Sequence, residues 1–494
     1  MAKIRDEEGM SPRRRLPDFS LGQISNSPLP PSIAKSPGPS RTIDKLAVFV
    51  NGSLIGELSR SGERGYSFIY EPDAKYPASL GMHRAMRVYD SPELHPAFDM
   101  SLPETDDPRL FDAVRRYVRL DKMGQLLLTG ASRIGRLRFG LDRDQPPMDS
   151  GVALDVGALR GCSDGANLFD RVIRDVGARC GVSGVMPKVL FNDVRPPESA
   201  PKAGGARTIE IDTHILKAST PDYPLMSANE FLSMLAARES GLLVPDTAVS
   251  ADGELLASER FDLGPNRTPI GFEDLLALQV GMRSEKYSGS YESLAKTLRK
   301  VCEPDLRAES MESFFKTVAL SVAVGNGDFH KKNFGVVYDN DATAVRAAPI
   351  YDVVSTTVYR HHHDLALSLE GSHAWPSRDV LTRFGERTCM LSKRQTADAL
   401  DAVIAGVDRA SDSIDDMRSR ISDFNKVGQS MELAWGQGVS LLKGDVPAIQ
   451  PLDEILSADQ LVFPANTPQA DGDDFTMRLS GRPSQISRSF RGPS

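Results

Sequence analysis

Gly325-Asn326-Gly327-Asp328-Phe329-His330-Lys331-Lys332-Asn333-Phe334-Gly335-Val336-Val337-Tyr338 is the stretch on which the reading of this chain turns. It follows a helical pattern over Glu312 to Val324 and precedes a strand, so Asp328 and Asn333 fall on a connecting loop, five residues apart. A second carboxylate, Asp352 in Pro349-Ile-Tyr-Asp352-Val-Val, comes nineteen positions after Asn333 and reads as a strand end. Gly-Asp and Asn are also ordinary turn formers, so this spacing has to be weighed with the rest of the chain.

Phosphoryl transfer calls for such a set. The nucleotide arrives with several negative charges, which hard cations held by oxygen ligands must neutralise while the nucleophile is aligned. The Asp-to-Asn spacing matches the catalytic loop of protein kinases, where Asp takes the proton of the substrate hydroxyl and Asn holds magnesium. Asp328 is thus the expected base, and Asn333 and Asp352 the expected metal ligands. Upstream, Ile209, Ile211, Thr213, Ile215 and Lys217 share one face of a period-2 strand. Lys217 ends that face, where a lysine can reach nucleotide phosphates; the plainer reading is a solvated strand edge. Glu230 falls in a helix expected from about Ala228 to Ser240. It either orients Lys217 or completes a capping box, Ser227-x-x-Glu230, with Gly241 as the helix stop. Gly181-Val-Ser183-Gly184-Val-Met-Pro-Lys188-Val-Leu-Phe191 reads as a small-residue turn entering a strand. Its N–H groups could cradle phosphates or simply close a hairpin, and it matches neither the P-loop nor GxGxxG.

The 494 residues exceed what one hydrophobic core usually organises, so two or three packed subdomains are expected. Hydrophobic residues at 40% and charged residues at 26% place the chain among globular proteins, and a net charge of -8 weighs against broad nucleic-acid coating. Cys162, Cys180, Cys302 and Cys389 form no CxxC pair, so neither a disulfide framework nor a zinc site is indicated and a reducing cytoplasm fits best. Apolar stretches such as Val318 to Val324 fall well short of the roughly 20 residues that span a bilayer, so no membrane partner is expected. No apolar run follows Arg13 to Arg15, so no signal peptide is expected. His361 to His363 read as a solvated loop rather than a metal cluster.

The opening residues are rich in Pro, Ser and Arg and read as a disordered arm. Leu46 to Val50, Asn51-Gly52 and Leu54 to Leu58 read as strand, turn and strand. A helix is expected around Phe111 to Leu120 and a strand at Gly135 to Phe139. Strand patterns dominate from about Val182 to Phe261 and helical patterns from about Glu273 to Gly438, including a helix opened by the capping box Ser392-x-x-Gln395. The fold class is α+β, strand-rich and then helix-rich, with a second disordered tail after about residue 464.

Several blocks then occur in a telling order: Val48-Phe-Val-Asn-Gly, Ser183-Gly-Val-Met-Pro-Lys188, His214-Ile-Leu-Lys217, Asn229-Glu-Phe with Leu235-Ala-Ala, and Val244-Pro-Asp. Ser258-Glu-Arg-Phe-Asp262, Gly327-Asp-Phe-His-Lys-Lys-Asn333-Phe and Tyr351-Asp352-Val follow. From Leu46 to Met431 the chain resembles the HipA family of bacterial toxin serine/threonine kinases. The resemblance implies a bilobal, protein-kinase-like fold related to lipid kinases. Its parts would be a disordered arm (1–43), an N-terminal subdomain (44–150), a strand-rich N-lobe with the ATP loop (151–262), a helical C-lobe with the catalytic loop (263–440) and a C-terminal extension (441–494). Lys217 would contact the ATP phosphates, Asp328 would act as base, and Asn333 and Asp352 would hold Mg2+. Glu259 and Phe261 would sit at the hinge beside adenine, and His330 and Lys332 would line the nucleotide. Ser183 and Gly184 would lie in the loop over the phosphates. Family members can phosphorylate themselves on a serine there, and a phosphate adds roughly -1.5 to -2 charges beside an anionic ligand; Ser183 could equally cap the turn.

The implied function is that of a cytoplasmic toxin. It would inhibit translation by phosphorylating a protein such as an aminoacyl-tRNA synthetase, paired with a helix-turn-helix antitoxin and, through it, operator DNA. The long arm and tail depart from the family's compact form and leave an added interaction or effector role open. A small-molecule kinase, or a degenerate kinase serving as a binding or repressor subunit, is the alternative.

Overall fold

The computed structural model describes residues 42–62, 65–100, 102, 119–147, 152–176, 180–181, 186–194, 211–359 and 364–463. The arm, the tail, most of the helix expected near Phe111, Ser183, Gly184, Ile209 and His361 to His363 lie outside them.

The expected hairpin forms from Lys45–Val50 and Ser53–Ser61, with Val50 paired to Ser53. Asn51 (φ 47°) and Gly52 (φ 77°) both take the left-handed conformation, which a two-residue hairpin loop needs and which Asn-Gly supplies at little steric cost. The hairpin lies within a five-stranded antiparallel sheet ordered Val88–Ser91, Gly65–Tyr70, Ser53–Ser61, Lys45–Val50, Leu137–Gly140. A second five-stranded sheet runs Thr247–Val249, Leu255–Glu259, His214–Ala218, Lys188–Asp193, Val152–Leu154, and only its last pair is parallel. Side chains of both sheets, among them Phe68, Phe139, Phe191 and Leu216, share one apolar core.

A second core gathers the helices Met226–Glu239, Tyr291–Val301, Pro304–Ala323, Arg378–Arg387, Lys393–Arg420 and Asn425–Lys443. Helix Met226–Glu239 therefore lies among strands in sequence but buries its apolar side against helices. Gly438 lets the last of these helices approach the carbonyls of Val322 and Ala323 more closely than a Cβ would allow. The architecture is α+β. A small sheet, Gly271–Asp274, Gly335–Tyr338 and Arg346–Ala347, interrupts the helical part.

Local signals fared unevenly. The Ser392–Gln395 capping box is made in both directions, at 3.2 and 3.0 Å. The one expected at Ser227 is not. Its helix starts at Met226 behind Leu225 (φ 54°), and Ser227 Oγ donates instead to the Glu254 carbonyl at 3.0 Å. Gly241 does stop that helix in the left-handed conformation, φ 76°. The strand ending at Lys217 is shorter than its pattern, covering only His214–Ala218. Cys162, Cys302 and Cys389 are buried free thiols. Among the described residues no helix is long and apolar enough to cross a membrane.

Candidate functional site

A cleft between the second sheet and the helical core is lined by Lys188, Lys217, Glu230, Glu259, Phe261, Asp328, His330, Lys332, Asn333 and Asp352. Every described residue expected at a site thus reaches one cavity. Strand periodicity explains the first contribution. Leu216 and Ala218 face the shared sheet core, so Ile215 and Lys217 face the cleft.

Lys217 is not a solvated edge residue. Its side chain is 7% exposed, and its ammonium pairs with Glu230 at 2.5 Å and with Asp352. Burial alone would lower the Lys217 pKa, but the two carboxylates raise it above its ordinary value. Burial would raise the Asp352 carboxyl, yet Lys217, Lys188 and His330 hold it well below the usual range. Glu230 stands above its usual value because burial and the negative charge of Asp352 outweigh Lys217. The Lys217 ammonium therefore bridges two carboxylates, with Lys188 a second positive charge acting on both. Asp352 also takes φ 56°, a conformation in which non-glycine residues are usually strained, and strain of this kind gathers at functional sites.

The catalytic-loop candidate is held from several sides. Helix Pro304–Ala323 ends with Gly325 in the left-handed conformation, φ 65°, with the Thr357 side chain packed over it. Gly327 N–H donates to Thr356 Oγ1 at 2.8 Å, and Ser355 Oγ donates to the Val324 carbonyl at 2.6 Å. Asn229, beside Glu230, exchanges two hydrogen bonds with the Ser355 backbone at 3.0 and 2.9 Å. The helix carrying Glu230, the segment after Asp352 and the loop carrying Asp328 are thereby one hydrogen-bonded unit. Within the loop, Asn333 Nδ2 and His330 N–H both donate to the Asp328 carbonyl, at 2.8 and 2.7 Å. The Asn333 amide nitrogen is committed, so its oxygen is the atom suited to a cation. Among the described residues no group of three or more His, Cys, Asp and Glu gathers to hold a metal. One carboxylate and one carboxamide oxygen would need a ligand's own phosphate oxygens to complete the hard donor set that magnesium takes.

At the cleft's edge, Ser258-Glu259-Arg260-Phe261-Asp262 divides its labour. Glu259 is exposed at the rim, while Phe261 stacks on Tyr351 (centroids 5.4 Å apart) and meets Phe272 edge-on at 5.3 Å. Arg260 and Asp262 also border the cleft, yet their side chains form a buried pair. The guanidinium donates to both Asp262 oxygens (3.0 and 2.6 Å) and to the carbonyls of Asp212 and Arg133 (3.0 and 2.8 Å). These side chains are 0% and 1% exposed, so the pair is buried rather than a surface one.

Sequence reasoning missed Met100, Ile134, Lys286 and Phe272, which also line the cleft. Met100 and Ile134 come from the first sheet's part of the chain. Lys332 turns its ammonium to the Met100 carbonyl (3.1 Å) and to Asp274 (3.6 Å). No periodicity or spacing marks these residues; only the docking of distant segments brings them together.

The family model of the HipA N-terminal domain matches residues 46–140, and that of the HipA-like C-terminal domain matches residues 180–411. A protein of Sinorhizobium fredii named "Putative kinase Y4mE" is 24% identical over 347 residues, 64% of this chain and 79% of its own length. A Haemophilus influenzae protein named "Putative kinase" is 30% identical over 194 residues, 35% of this chain and 55% of its own length. A chain from the solved Shewanella oneidensis MR-1 complex of the toxin–antitoxin proteins HipA and HipB with operator DNA has a similar fold, with a TM-score of 0.58 at 17% identity. The match covers 81% of this chain and 97% of that one.

Proposed function

The chain belongs to the HipA family, and on that premise we propose that it is an ATP- and magnesium-dependent kinase that phosphorylates a serine or threonine hydroxyl of another protein. The observation that carries the reading is the convergence of Lys217, Glu230, Asp328, Asn333 and Asp352 on one cleft, with Lys217 bridging Glu230 and Asp352. A two-lobed, protein-kinase-like fold is the arrangement this convergence supports. The strand-rich lobe (151–262) carries Lys217, the helical lobe (263–440) carries the loop, and the N-terminal subdomain (44–150) packs on the former. The arm (1–43) and the extension (441–494) flank these parts.

Asn333 and Asp352 would hold magnesium, which neutralises phosphate charge. Lys217, steered by Glu230, reaches the nucleotide phosphates. The face made by Ile215, Phe261 and Tyr351 suits an adenine ring, and His330 and Lys332 close the loop side. Asp328 accepts the proton of the incoming hydroxyl as its oxygen attacks phosphorus, and the bond to the leaving diphosphate breaks. Lys217 rests on Asp352 here, so nucleotide binding has to redistribute that ammonium between carboxylate and phosphate.

The toxin–antitoxin neighbour favours a toxin whose partner is a helix-turn-helix antitoxin and, through it, operator DNA. The substrate fitting that role is a component of translation such as an aminoacyl-tRNA synthetase, and Ser183 is the candidate for self-phosphorylation. Expression of the chain alone is expected to slow bacterial growth, whereas an Asp328→Ala form grows normally. Phosphoproteomics of the two cultures identifies the substrate as a site present only with the active chain. Equal growth and identical phosphoproteomes would overturn the toxin-kinase reading.

A further inference from the structure

The phosphotransfer set leaves one close contact of its base unexplained. Tyr287 Oη donates a hydrogen bond to Asp328 Oδ1 at 2.6 Å, although the two residues are 41 positions apart. The tyrosine is itself held in place. Its ring meets the His330 ring edge-on at a centroid distance of 4.9 Å, and the Lys286 ammonium lies 5.4 Å from its centroid. Lys331 N–H donates to the Lys286 carbonyl at 3.2 Å, so the segment bearing Tyr287 is laced to the loop bearing Asp328 through backbone and side chain. The same segment is anchored on its far side, where Arg283 pairs with Asp99 at 2.5 Å and donates to the Asp99 carbonyl at 2.7 Å.

A carboxylate has two oxygens and about four acceptor sites, so a donor on one oxygen does not disable it as a base. It restrains the plane and rotamer of the carboxyl. Without that tether the short Asp328 side chain could turn about χ1 and χ2, and a misplacement of about 1 Å can cost on the order of a hundredfold in rate. A phenol suits this task because it is rigid, reaches far from its backbone and stays protonated around neutral pH.

We propose that Tyr287 is the positioning residue of this kinase, aiming the Asp328 carboxylate at the acceptor hydroxyl through the 2.6 Å hydrogen bond. The proposal rests on the phosphotransfer reading above and adds to it a residue outside the catalytic loop. Lys286, on the same segment and lining the same cleft, places its ammonium over the ring.

The test uses the full-length chain and three variants: Tyr287→Phe, Asp328→Asn and the double substitution. Phosphoryl transfer to protein in lysate is followed with labelled ATP, and MgATP affinity is followed by calorimetry. Tyr287→Phe keeps the ring and its packing, so the expected result is a fall in turnover of about 10- to 100-fold with nucleotide affinity within about twofold of wild type. In the Asp328→Asn background the same change is expected to cost nothing further, because the carboxylate it aims is gone. A purely structural tyrosine would lower activity by the same factor in both backgrounds. Turnover of Tyr287→Phe within twofold of wild type, while Asp328→Asn is inactive, overturns the positioning role alone. A faster Tyr287→Phe enzyme also overturns it, by making the phenol a plug on the base. Wild type no more active than Asp328→Asn removes the kinase reading and this proposal with it.

Discussion

One buried ion cluster centres on Lys217 in strand His214–Ala218 and another follows strand Leu255–Glu259, and they are built to opposite specifications. Arg260 with Asp262 is balanced: one cation, one anion, both essentially inaccessible, with guanidinium and carboxylate further bonded to backbone groups of residues 133, 135 and 212. The Lys217 cluster is open: its ammonium lies between Glu230 and Asp352, Lys188 adds a second positive charge, and the Asp352 side chain is 33% exposed on a strained backbone. A buried charge is expensive unless paired, so both clusters must be organised, but only the second keeps a carboxylate partly open to the cleft. The lesson is that burial and pairing alone do not mark function. Exposure toward a cleft, combined with a backbone conformation that needs support, does.

If that contrast is right, breaking the balanced cluster costs stability. Asp262→Ala strands Arg260 in the core and is expected to destabilise the fold by about 3–5 kcal/mol, read by denaturant unfolding. A loss below about 1 kcal/mol would show that the pair is dispensable. Breaking the Lys217 cluster should act on ligand instead. Asp352→Asn keeps a residue that tolerates the left-handed conformation but removes the charge, so MgATP affinity is expected to fall about 10- to 100-fold while stability changes by under about 1 kcal/mol. Unchanged calorimetric affinity would remove Asp352 from the ligand set.

A smaller effect separates the clusters by pH. Burial pushes the Asp262 carboxyl up, but Arg260 and the Gly135 N–H outweigh it and leave the group below its ordinary value. A depressed carboxylate contributes stability that is present above its unfolded pKa, about 3.9, and lost as pH falls through the folded value. Wild type is therefore expected to lose stability below about pH 4 more steeply than Asp262→Asn does, by acid titration of unfolding midpoints. Parallel slopes would contradict the assignment.

Much of this could be read before any coordinates were in hand, and the boundary has a physical cause. Lys217, Asp328 and Asn333 announced themselves because each sits at or near the end of a regular element, where spacing and periodicity carry information; Asp352, expected at a strand end, lies in irregular backbone five residues past strand Arg346–Ala347. Asn51-Gly52 and Ser392-x-x-Gln395 did so because turn and cap chemistry is local. Ser227 misled, since its capping pattern lies inside a helix whose start is set by Leu225 in an unusual conformation. The burial of Arg260 and Asp262 could not be read, because the backbone groups that receive them come from residues about 50 to 130 positions away. Tyr287 and Met100 were silent for the same reason: their roles exist only once separate segments dock.

The central claim is that the cleft transfers phosphate with Asp328 as base and the Lys217 cluster as nucleotide site. Turnover with γ-labelled ATP and MgATP affinity, measured together on wild type and Asp328→Ala, separate those roles most directly. The account predicts a loss of transfer of about a thousandfold or more, with affinity within about threefold of wild type, because Asp328 faces the hydroxyl rather than the nucleotide. Transfer by Asp328→Ala within tenfold of wild type would contradict it.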